Sequence, residues 1–284
     1  MSTTQKHIAL ICNPAADSSK TLLLADSIAR LLEGRGVAFQ IFTTYWPQVW
    51  SNFTEAWIVG GDGTVNYFIN QYPELKLPLA LFGGGTANDL HHLLYSDMAV
   101  EAQVAKMLVA EPQAIDGGIC NGKLFLNGIG IGFDGAIVQD LQGKRKRPGK
   151  ATYLLSVLKH IFRYKETWLD LQWPGGQLAQ PCFMVSVANG RRYGGGFNVT
   201  PKADVQDGLL DVMVVGKIAA ASRIKYLPVI EKGEHVALPF VRYEHTESII
   251  IQAQKPLPAH RDGELFVADR FEIKCLPHHF SLLL

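Results

Sequence analysis

The stretch Gly60-Gly61-Asp62-Gly63-Thr64 lies between a strand pattern and a helix pattern, and it decides the fold class of this chain. The apolar residues 56–59 before it are typical of a parallel strand covered on both faces, and residues 65–70 after it suit a helix. Such a glycine turn aims backbone N–H groups and a helix N-terminus at an anion. Asp62 is a candidate for Mg²⁺ or a ribose hydroxyl and Thr64 for a phosphate oxygen. A plain turn capped by Asp62 is the alternative.

A second glycine turn, Gly83-Gly84-Gly85-Thr86-Ala87-Asn88-Asp89, follows the next strand pattern at residues 79–82. Two such turns at the carboxyl ends of neighbouring strands face one crevice, where open α/β sheets bind their ligands. The sequence holds no GxxxxGK[ST] string, so a P-loop NTPase is not indicated, and no GxGxxG fingerprint supports a dinucleotide Rossmann site.

The remaining patterns predict two domains. Strand patterns at 7–12 and 37–42, a helix at 21–32 and a helix from Ser96 to Met107 complete an α/β domain over residues 1–114, built on an open sheet. Short β-rich runs at 168–173, 182–188, 210–215, 248–252 and 271–276, with an Asn121-Gly122 hairpin and a helical insertion at 151–164, predict a mostly antiparallel β-sandwich or barrel. This second domain spans residues 115–284, and its last residues can return to the first.

Composition narrows the class of protein. The 284 residues are 48% hydrophobic, which favours a sizeable core, and 27 Lys and Arg face 26 Asp and Glu, so no basic excess indicates nucleic-acid binding. No apolar run reaches the ~18 residues of a membrane span or resembles a signal peptide, which favours a cytoplasmic protein. Four scattered cysteines are expected to be buried in a reducing compartment: Cys12, Cys120, Cys182 and Cys275.

The strings GGDGTVN and GTAND resemble the nucleotide-binding motifs of the diacylglycerol kinase catalytic-domain superfamily, which includes bacterial diacylglycerol kinases, sphingosine kinases and ceramide kinases. The resemblance extends over nearly the whole chain, through Gly130-Ile131-Gly132-Phe133-Asp134, Asp207-Gly208-Leu209-Leu210-Asp211 and Asp262-Gly263-Glu264. The chain departs from the family pattern at Tyr67, where an acidic residue is usual, and at Gly83, where proline is usual. It also has His91-His92 where members usually have Ala-Arg.

This resemblance implies an α/β nucleotide domain followed by a β-sandwich, and ATP- and Mg²⁺-dependent phosphorylation of a lipid hydroxyl, such as that of diacylglycerol or a sphingoid lipid. The residues it assigns to ATP are Asn13, Thr43 or Thr44, Gly61, Asp62, Gly63, Thr64, Thr86 and Asn88. Asp62, Asp89 and Asp116 would surround the catalytic Mg²⁺. A second, structural metal would take Asp207 with the backbone of Asp204 and Leu209. Asp262 and Glu264 would supply the general base. Taken without the resemblance, Asp207-Gly208 and Asp262-Gly263 are also typical turn sequences.

Two other functions compete with a lipid kinase. An NAD kinase-like enzyme shares GGDGT and the two-domain plan, and a degenerate lipid- or nucleotide-binding protein would explain Tyr67 and Gly83. The basic stretch Lys144-Arg145-Lys146-Arg147-Pro148-Gly149-Lys150 is either a solvated loop or a contact with an anionic membrane. On the second interpretation the enzyme meets its lipid at the inner face of the membrane as a peripheral protein. Exposed sandwich edges would suit a homodimer.

Overall fold

The computed structural model describes residues 5–13, 18–142 and 150–284. The chain divides into two compact units, residues 1–115 with 279–284, and residues 116–278. The basic stretch expected at the membrane, residues 144–149, lies outside the described residues, as does the side chain of Lys150.

The first unit is built on a parallel sheet with helices. In chain order its elements are β1 (His7–Cys12), α1 (Ser18–Glu33), β2 (Ala38–Phe42), β3 (Glu55–Gly60), α2 (Asp62–Gln71), β4 (Leu79–Gly83), α3 (Asp89–Tyr95) and α4 (Val100–Val109). The strand order β4-β3-β1-β2 is parallel throughout. The apolar runs of β1 and β3 are buried along nearly their whole length, as their uninterrupted hydrophobicity predicts.

The predicted helix from Ser96 to Met107 is wrong at its start. Ser96 follows α3 with φ 56° and donates its backbone N–H to the carbonyl of His92 at 2.9 Å, so it ends a helix instead of capping one. The next helix begins only at Val100. The positive φ of Ser96 breaks the helical path at this point, and a serine gives no sequence signal for that conformation because it favours helix N-caps.

The second unit is mostly antiparallel. Its elements are β5 (Pro112–Cys120, which begins in the first unit), β6 (Lys123–Phe125), β7 (Gly128–Gly132), α5 (Phe133–Gln142), α6 (Lys150–Arg163), β8 (Thr167–Trp173), β9 (Gly176–Cys182), β10 (Met184–Ala188), β11 (Leu210–Val215), α7 (Ala220–Arg223), α8 (Leu227–Glu231), β12 (Val241–Thr246), β13 (Ser248–Arg261) and β14 (Glu264–Leu283). Two short 3-10 turns flank α8.

The strand β13 joins the two layers of the sandwich. Its first half pairs with β8, its second half pairs with β7, and the register shifts between Gln252 and Leu257. The strands β12, β11, β10 and β7 follow one another antiparallel on one side, and β9 extends β8 on the other. The sandwich core lies between these layers, with Val185, Val187 and Ile251 among its members. An α/β domain followed by an antiparallel sandwich is therefore confirmed.

The strand β10 is buried on both faces. Val185 and Val187 enter the sandwich core, while Met184, one position out of phase, packs with Phe133 and Ile161 of the helices α5 and α6. This alternation follows from the two-residue period of a strand. It creates a second apolar core outside the sandwich, and α5, which the sequence patterns did not reveal, forms part of it.

The end of β14 belongs to the first unit. Leu282 pairs parallel with Leu79 of β4, and the hydroxyl of Tyr95 donates to the carbonyl of Leu283 at 2.8 Å. The four cysteines are buried and form no disulfide, as expected. None of the helices in the described part of the chain is long and apolar enough to cross a membrane.

Candidate active site

The two glycine turns of the first unit touch through their backbones. The N–H of Gly84 donates to the carbonyl of Gly60 at 3.0 Å. A Cβ placed on Gly85 would lie only 2.6 Å from the Cα of Gly61, so no side chain fits at this contact. The structure therefore places both turns together at the carboxyl edge of β3 and β4, where an open α/β sheet binds its ligand.

Asp62 links the first turn to the helix of the second. Its two carboxylate oxygens accept the backbone N–H groups of Asp89 at 3.1 Å and of Leu90 at 3.0 Å, which caps the N-terminus of α3. Asp89 itself is buried. Asp62 and Asp89, both assigned to Mg²⁺, are thus brought together by the fold.

Asn88 shapes the second turn. It adopts a left-handed conformation with φ 52°, which asparagine tolerates better than most residues. Its side-chain oxygen accepts the N–H of Gly85 at 2.8 Å, and its side-chain nitrogen donates to the Gly85 carbonyl at 3.0 Å. Asn88 therefore holds the turn closed, a role that is separate from the ATP contact assigned to it.

The other residues assigned to ATP lie at the same edge of the sheet. Asn13 directly follows β1, Thr43 and Thr44 follow β2, and Thr86 is exposed in the second turn. Thr64 differs, because its side chain is buried against Gly60, where a Cβ would stand 2.5 Å from the threonine Oγ1. The side chain of Thr64 thus packs against Gly60 at the start of α2.

Sequence reasoning missed an aromatic cluster at this edge. Trp46 donates its ring N–H to the carbonyl of Cys12 at 3.1 Å, and its ring packs against Tyr67 and Phe68 of α2 at centroid distances of 5.3 and 5.7 Å. Tyr67, which differs from the acidic residue expected at this position, therefore packs against the ring of Trp46. The density of aromatic residues between 42 and 53 was the available signal.

Asp116 is a structural carboxylate of the second unit. It is fully buried, and its two oxygens accept the backbone N–H groups of Gly208 and His278, each at 2.7 Å. These bonds join β5 to the 207–209 turn and to the end of β14 within the unit. The assignment of Asp116 to the catalytic Mg²⁺ stays a prediction.

The residues assigned to a structural metal form a turn. The carboxylates of Asp204 and Asp207 each accept the backbone N–H two residues further on, at 3.0 and 2.9 Å, the geometry of an Asx-turn. Both aspartates are exposed, and Leu209 lies in the same turn. The described residues contain no group of three or more His, Cys, Asp or Glu side chains arranged to hold a metal ion.

Asp262 and Glu264 lie at the turn between β13 and β14, and the structure gives them different surroundings. Asp262 has φ 45° and its carboxylate accepts the N–H groups of Leu126, Asn127 and Gly128 at 2.9, 3.0 and 2.8 Å. It therefore anchors the loop before β7. Glu264 begins β14 with its side chain exposed. Of the two, Glu264 has the carboxylate that is more available to a proton.

A cavity of about 60 Å³ lies inside the second unit, on the outer face of β10. Its walls are apolar side chains of α5, α6, β10 and the segment 218–241, among them Phe133, Ile161, Phe183 and Met184. Ligand pockets are commonly lined in this way, by apolar and aromatic side chains with a few polar groups. No pattern in the sequence predicted it, because its lining residues come from five separate segments.

Asp134 is one of the ionisable residues in this mostly apolar wall, with Arg223 and His235. The hydroxyl of Tyr193 donates to its Oδ2 at 3.0 Å and is itself in contact with Ser186. Burial raises the pKa of Asp134 to about 6, and burial lowers that of the neighbouring His260 to about 4. Gly130 makes room for both, because a Cβ there would collide with the His260 ring and the Asp134 carboxylate.

Comparison with known proteins agrees with this geometry. Residues 7–120 match the model of the diacylglycerol kinase catalytic domain, and residues 127–284 match that of the YegS C-terminal NAD kinase beta sandwich-like domain. The chain belongs to the YegS-like diacylglycerol kinase family. Membership of this kinase family makes the protein an enzyme that transfers phosphoryl groups.

Relatives named for lipid phosphorylation cover most of the chain. A protein of Chromohalobacter salexigens named "Probable lipid kinase YegS-like" is 27% identical over 77% of this chain and 72% of its own length. A Mycobacterium tuberculosis protein named diacylglycerol kinase is 26% identical over 80% of this chain and 75% of its own.

Solved structures share the fold. A Bacillus anthracis structure titled as a diacylglycerol kinase has 21% identity and a TM-score of 0.72, covering 98% of this chain and 96% of that one. A yeast NADH kinase has 12% identity and a TM-score of 0.54, covering 99% and 84%. At these identities the likeness concerns the fold alone.

Proposed function

We propose that the protein transfers the γ-phosphate of ATP to a hydroxyl group of a lipid such as diacylglycerol or a sphingoid lipid, with Mg²⁺ as cofactor. The observation that carries the proposal is the apolar cavity in the second unit, the same unit whose β13–β14 turn presents Glu264. An acceptor with a long hydrocarbon part suits such walls, because burying apolar surface is favourable by about 25 cal/mol per Å². A polar acceptor such as NAD gains little there.

The glycine edge of the first unit supplies the phosphate site. The backbone N–H groups of Gly61 and Gly63 and the N-terminus of α2 offer donors and positive potential to the phosphates. The residues that the family motif assigns to ATP follow strands of the same sheet or lie in the second glycine turn: Asn13, Thr43, Thr44, Thr86 and Asn88. Phosphoryl transfer needs mainly positioning and charge stabilisation, which a rigid backbone cradle provides.

The donor set fits Mg²⁺. The carboxylate of Asp62 is bonded to the backbone N–H of Asp89 at the glycine edge, and Mg²⁺ in phosphate-transfer enzymes commonly takes one or two carboxylates plus substrate phosphates. When bound, the ion would neutralise charge on the transferring phosphoryl group. The backbone N–H groups of Asp89 and Leu90 hold Asp62 in one orientation for that purpose.

Glu264 is the residue we assign to proton removal from the lipid hydroxyl. Its side chain is exposed at the β13–β14 turn. The carboxylate of Asp262 already accepts three backbone N–H groups, which makes its oxygens poorer proton acceptors. Asp262 therefore positions the turn, and Glu264 acts on the substrate.

Contact with a membrane is part of the proposal. The helix α6 follows the basic stretch and exposes Leu155 and Phe162, two apolar residues one heptad apart and therefore on one face. An exposed apolar face next to basic residues suits the surface of an anionic bilayer.

The test is transfer of labelled phosphate from ATP and Mg²⁺ to a panel of lipid alcohols in mixed micelles, with NAD in parallel. We expect transfer to a lipid, lost in Glu264→Gln. The matched control is Glu247→Gln, which removes a carboxylate from the same unit just before β13. Transfer to NAD alone, or to no lipid in the panel, would contradict the proposal.

A further inference from the structure

Arg261 lies directly across the β13–β14 hairpin from Glu264. The two strands are joined by the turn Asp262-Gly263, whose φ values of 45° and 84° are typical of a tight two-residue hairpin. Arg261 and Glu264 are partners in the register of the two strands. Directly paired residues of an antiparallel ladder place their side chains on the same face, with Cβ atoms about 5 Å apart. The guanidinium therefore belongs to a residue adjacent to the exposed carboxylate of Glu264.

The side chain of Arg261 continues the row of β13 that faces the sandwich core. Leu257 and Ala259 belong to that core, and residues two apart in a strand share a face. At the end of this row the guanidinium of Arg261 lies over the ring of Phe266, 5.1 Å from its centroid. An aromatic face attracts a cation, so this contact positions the guanidinium at the end of the core without giving it an oxygen acceptor.

The charge of Arg261 is not paired within the described part of the chain. Its guanidinium forms no hydrogen bond or ion pair with the described residues, and its Nε is enclosed without a partner. Nη1 and Nη2 are not enclosed in this way, so they are the nitrogens that a ligand at the turn can reach. Burial lowers the pKa of Arg261 while Cys120, Asp262 and Glu264 raise it, and a guanidinium remains charged at physiological pH.

The proposed reaction brings an anion to this place. As the lipid oxygen gives its proton to the carboxylate of Glu264, it forms a bond to the γ-phosphorus, and the bond from that phosphorus to the oxygen that stays on ADP breaks. The same lipid oxygen thus contacts Glu264 and receives the phosphoryl group. Two negatively charged groups come close together, and they repel each other unless a positive charge lies beside them.

We propose that Nη1 and Nη2 of Arg261 bind the phosphoryl group during its transfer to the lipid and hold the phosphate of the lipid product. The inference rests on the proposed function, which assigns proton removal to Glu264. The N–H groups of a guanidinium form a fork that matches two oxygens of a phosphate, whereas a lysine ammonium acts as a point charge. Arg261 thereby offsets the repulsion between the carboxylate of Glu264 and the phosphoryl group.

Binding of a lipid alcohol and of its phosphate ester tests the proposal. The probes are dioctanoylglycerol and dioctanoylphosphatidic acid, or the corresponding pair for whichever lipid of the panel is phosphorylated. The two probes share their chains and differ by the phosphate. In titration calorimetry without ATP, we expect Arg261→Gln to bind the phosphate ester about tenfold more weakly than wild type, the usual effect of losing a charge-assisted hydrogen bond, and to bind the alcohol equally well.

Steady-state kinetics extend the test to the transfer step. We expect Arg261→Gln to lower kcat by about tenfold or more, with the KM for ATP and the melting temperature unchanged. Arg261→Lys keeps the charge without the fork and should recover part of kcat and of the affinity for the phosphate ester. The matched control is Arg270→Gln, which removes an arginine of β14 that pairs with Glu272 and should leave both quantities unchanged.

The outcomes separate this inference from the proposed function. If the wild-type enzyme phosphorylates a lipid and Arg261→Gln keeps its kcat and its affinity for the phosphate ester, the inference alone is overturned, and Arg261 is a solvated charge over Phe266. An equal loss of affinity for the alcohol and for its phosphate ester also overturns it, because the arginine then acts through packing. If the wild-type enzyme phosphorylates no lipid, the proposed function fails and the inference fails with it.

Discussion

The ring of His91 occupies the space beside Gly83 that a side chain there would need. A Cβ on Gly83 would lie 3.1 Å from Cγ and Nδ1 of His91, closer than packed atoms normally approach. Gly83 and His91 therefore form a contacting pair, and any side chain at position 83 would compete with the histidine ring for the same space.

The first prediction follows from this pair. Gly83→Ala should destabilise the protein by about 1 kcal/mol, because overpacking a filled site forces neighbours apart. In a His91→Ala background the same change should cost clearly less, since the ring is gone. Urea unfolding of the four proteins gives the coupling energy of the double-mutant cycle.

Since His91→Ala also removes the contact of its Nε2 with Gln103 at 3.1 Å, that variant alone should be destabilised. The cycle subtracts this cost. Strict additivity of the two substitutions would show that a side chain at position 83 does not compete with the His91 ring for space.

The second prediction concerns the contact between the glycine turns. Gly85→Ala places a Cβ 2.6 Å from the Cα of Gly61 and 2.9 Å from Oδ1 of Asn88, so the turns must separate. We expect ATP affinity, measured by titration calorimetry, to fall at least tenfold. Gly34→Ala, at the end of α1 with its nearest atom at 3.3 Å, is the control and should bind ATP normally. Unchanged ATP affinity of Gly85→Ala would show that the glycine turns do not form the phosphate site.

The third prediction separates the two carboxylates of the β13–β14 turn. Glu264→Gln should lower kcat by about 10²–10⁴-fold, the usual range for loss of a general base, with an unchanged melting temperature. Asp262→Asn should instead lower stability by roughly 1–3 kcal/mol, because the backbone N–H groups of the 126–128 loop lose their charged partner. Thermal unfolding and steady-state kinetics on both variants decide it. A wild-type kcat in Glu264→Gln would show that the general base is Asp262 or another residue.

The fourth prediction is a pH dependence of stability. Burial raises the pKa of Asp134 from 3.8 to about 6, so the folded protein holds a proton there that the unfolded chain has released. This contribution to stability is complete below about pH 4 and is lost as the pH rises through about 6. Asp134→Asn stays neutral and still accepts from Tyr193, so its stability relative to wild type should grow over this range by roughly 3 kcal/mol.

The titration of His260 changes the stability in the opposite direction, so its contribution must be separated from that of Asp134 in this experiment. Burial lowers its pKa from 6.5 to about 4, so its contribution is complete above about pH 6.5 and is lost as the pH falls toward 4. Both proteins carry His260, so it cancels in the difference between wild type and Asp134→Asn. A difference that does not change with pH would contradict a raised pKa of Asp134.

Local sequence signals predicted much of the fold. The run at residues 7–12 gave β1 with its observed ends because a buried parallel strand is apolar without interruption, and Asn121-Gly122 forms the expected hairpin, with φ of 47° and 77°. The turns of the candidate site were equally visible, since glycine, asparagine and aspartate are the residues that such backbone requires.

Features set by distant partners were not visible. Gly135 lies in the first turn of α5 and packs against β13, where a Cβ would collide with the carbonyl of Pro258. From the sequence alone this glycine argues against a helix, but the packing requires it. The 20-residue strand β14 contains Pro277, a residue that in the sequence predicts the end of a strand. The cavity on the outer face of β10 exists only once five segments come together.

The pairing of Leu282 with Leu79 also has a consequence for biosynthesis. The sheet of the first unit, whose other strands are all translated by residue 83, receives its last strand residues only when positions 279–284 leave the ribosome. Until then β4 keeps an open edge, and an open edge invites pairing with other chains. The part of the enzyme that is synthesised first is therefore finished last, and a nascent chain stalled before residue 279 needs protection against aggregation.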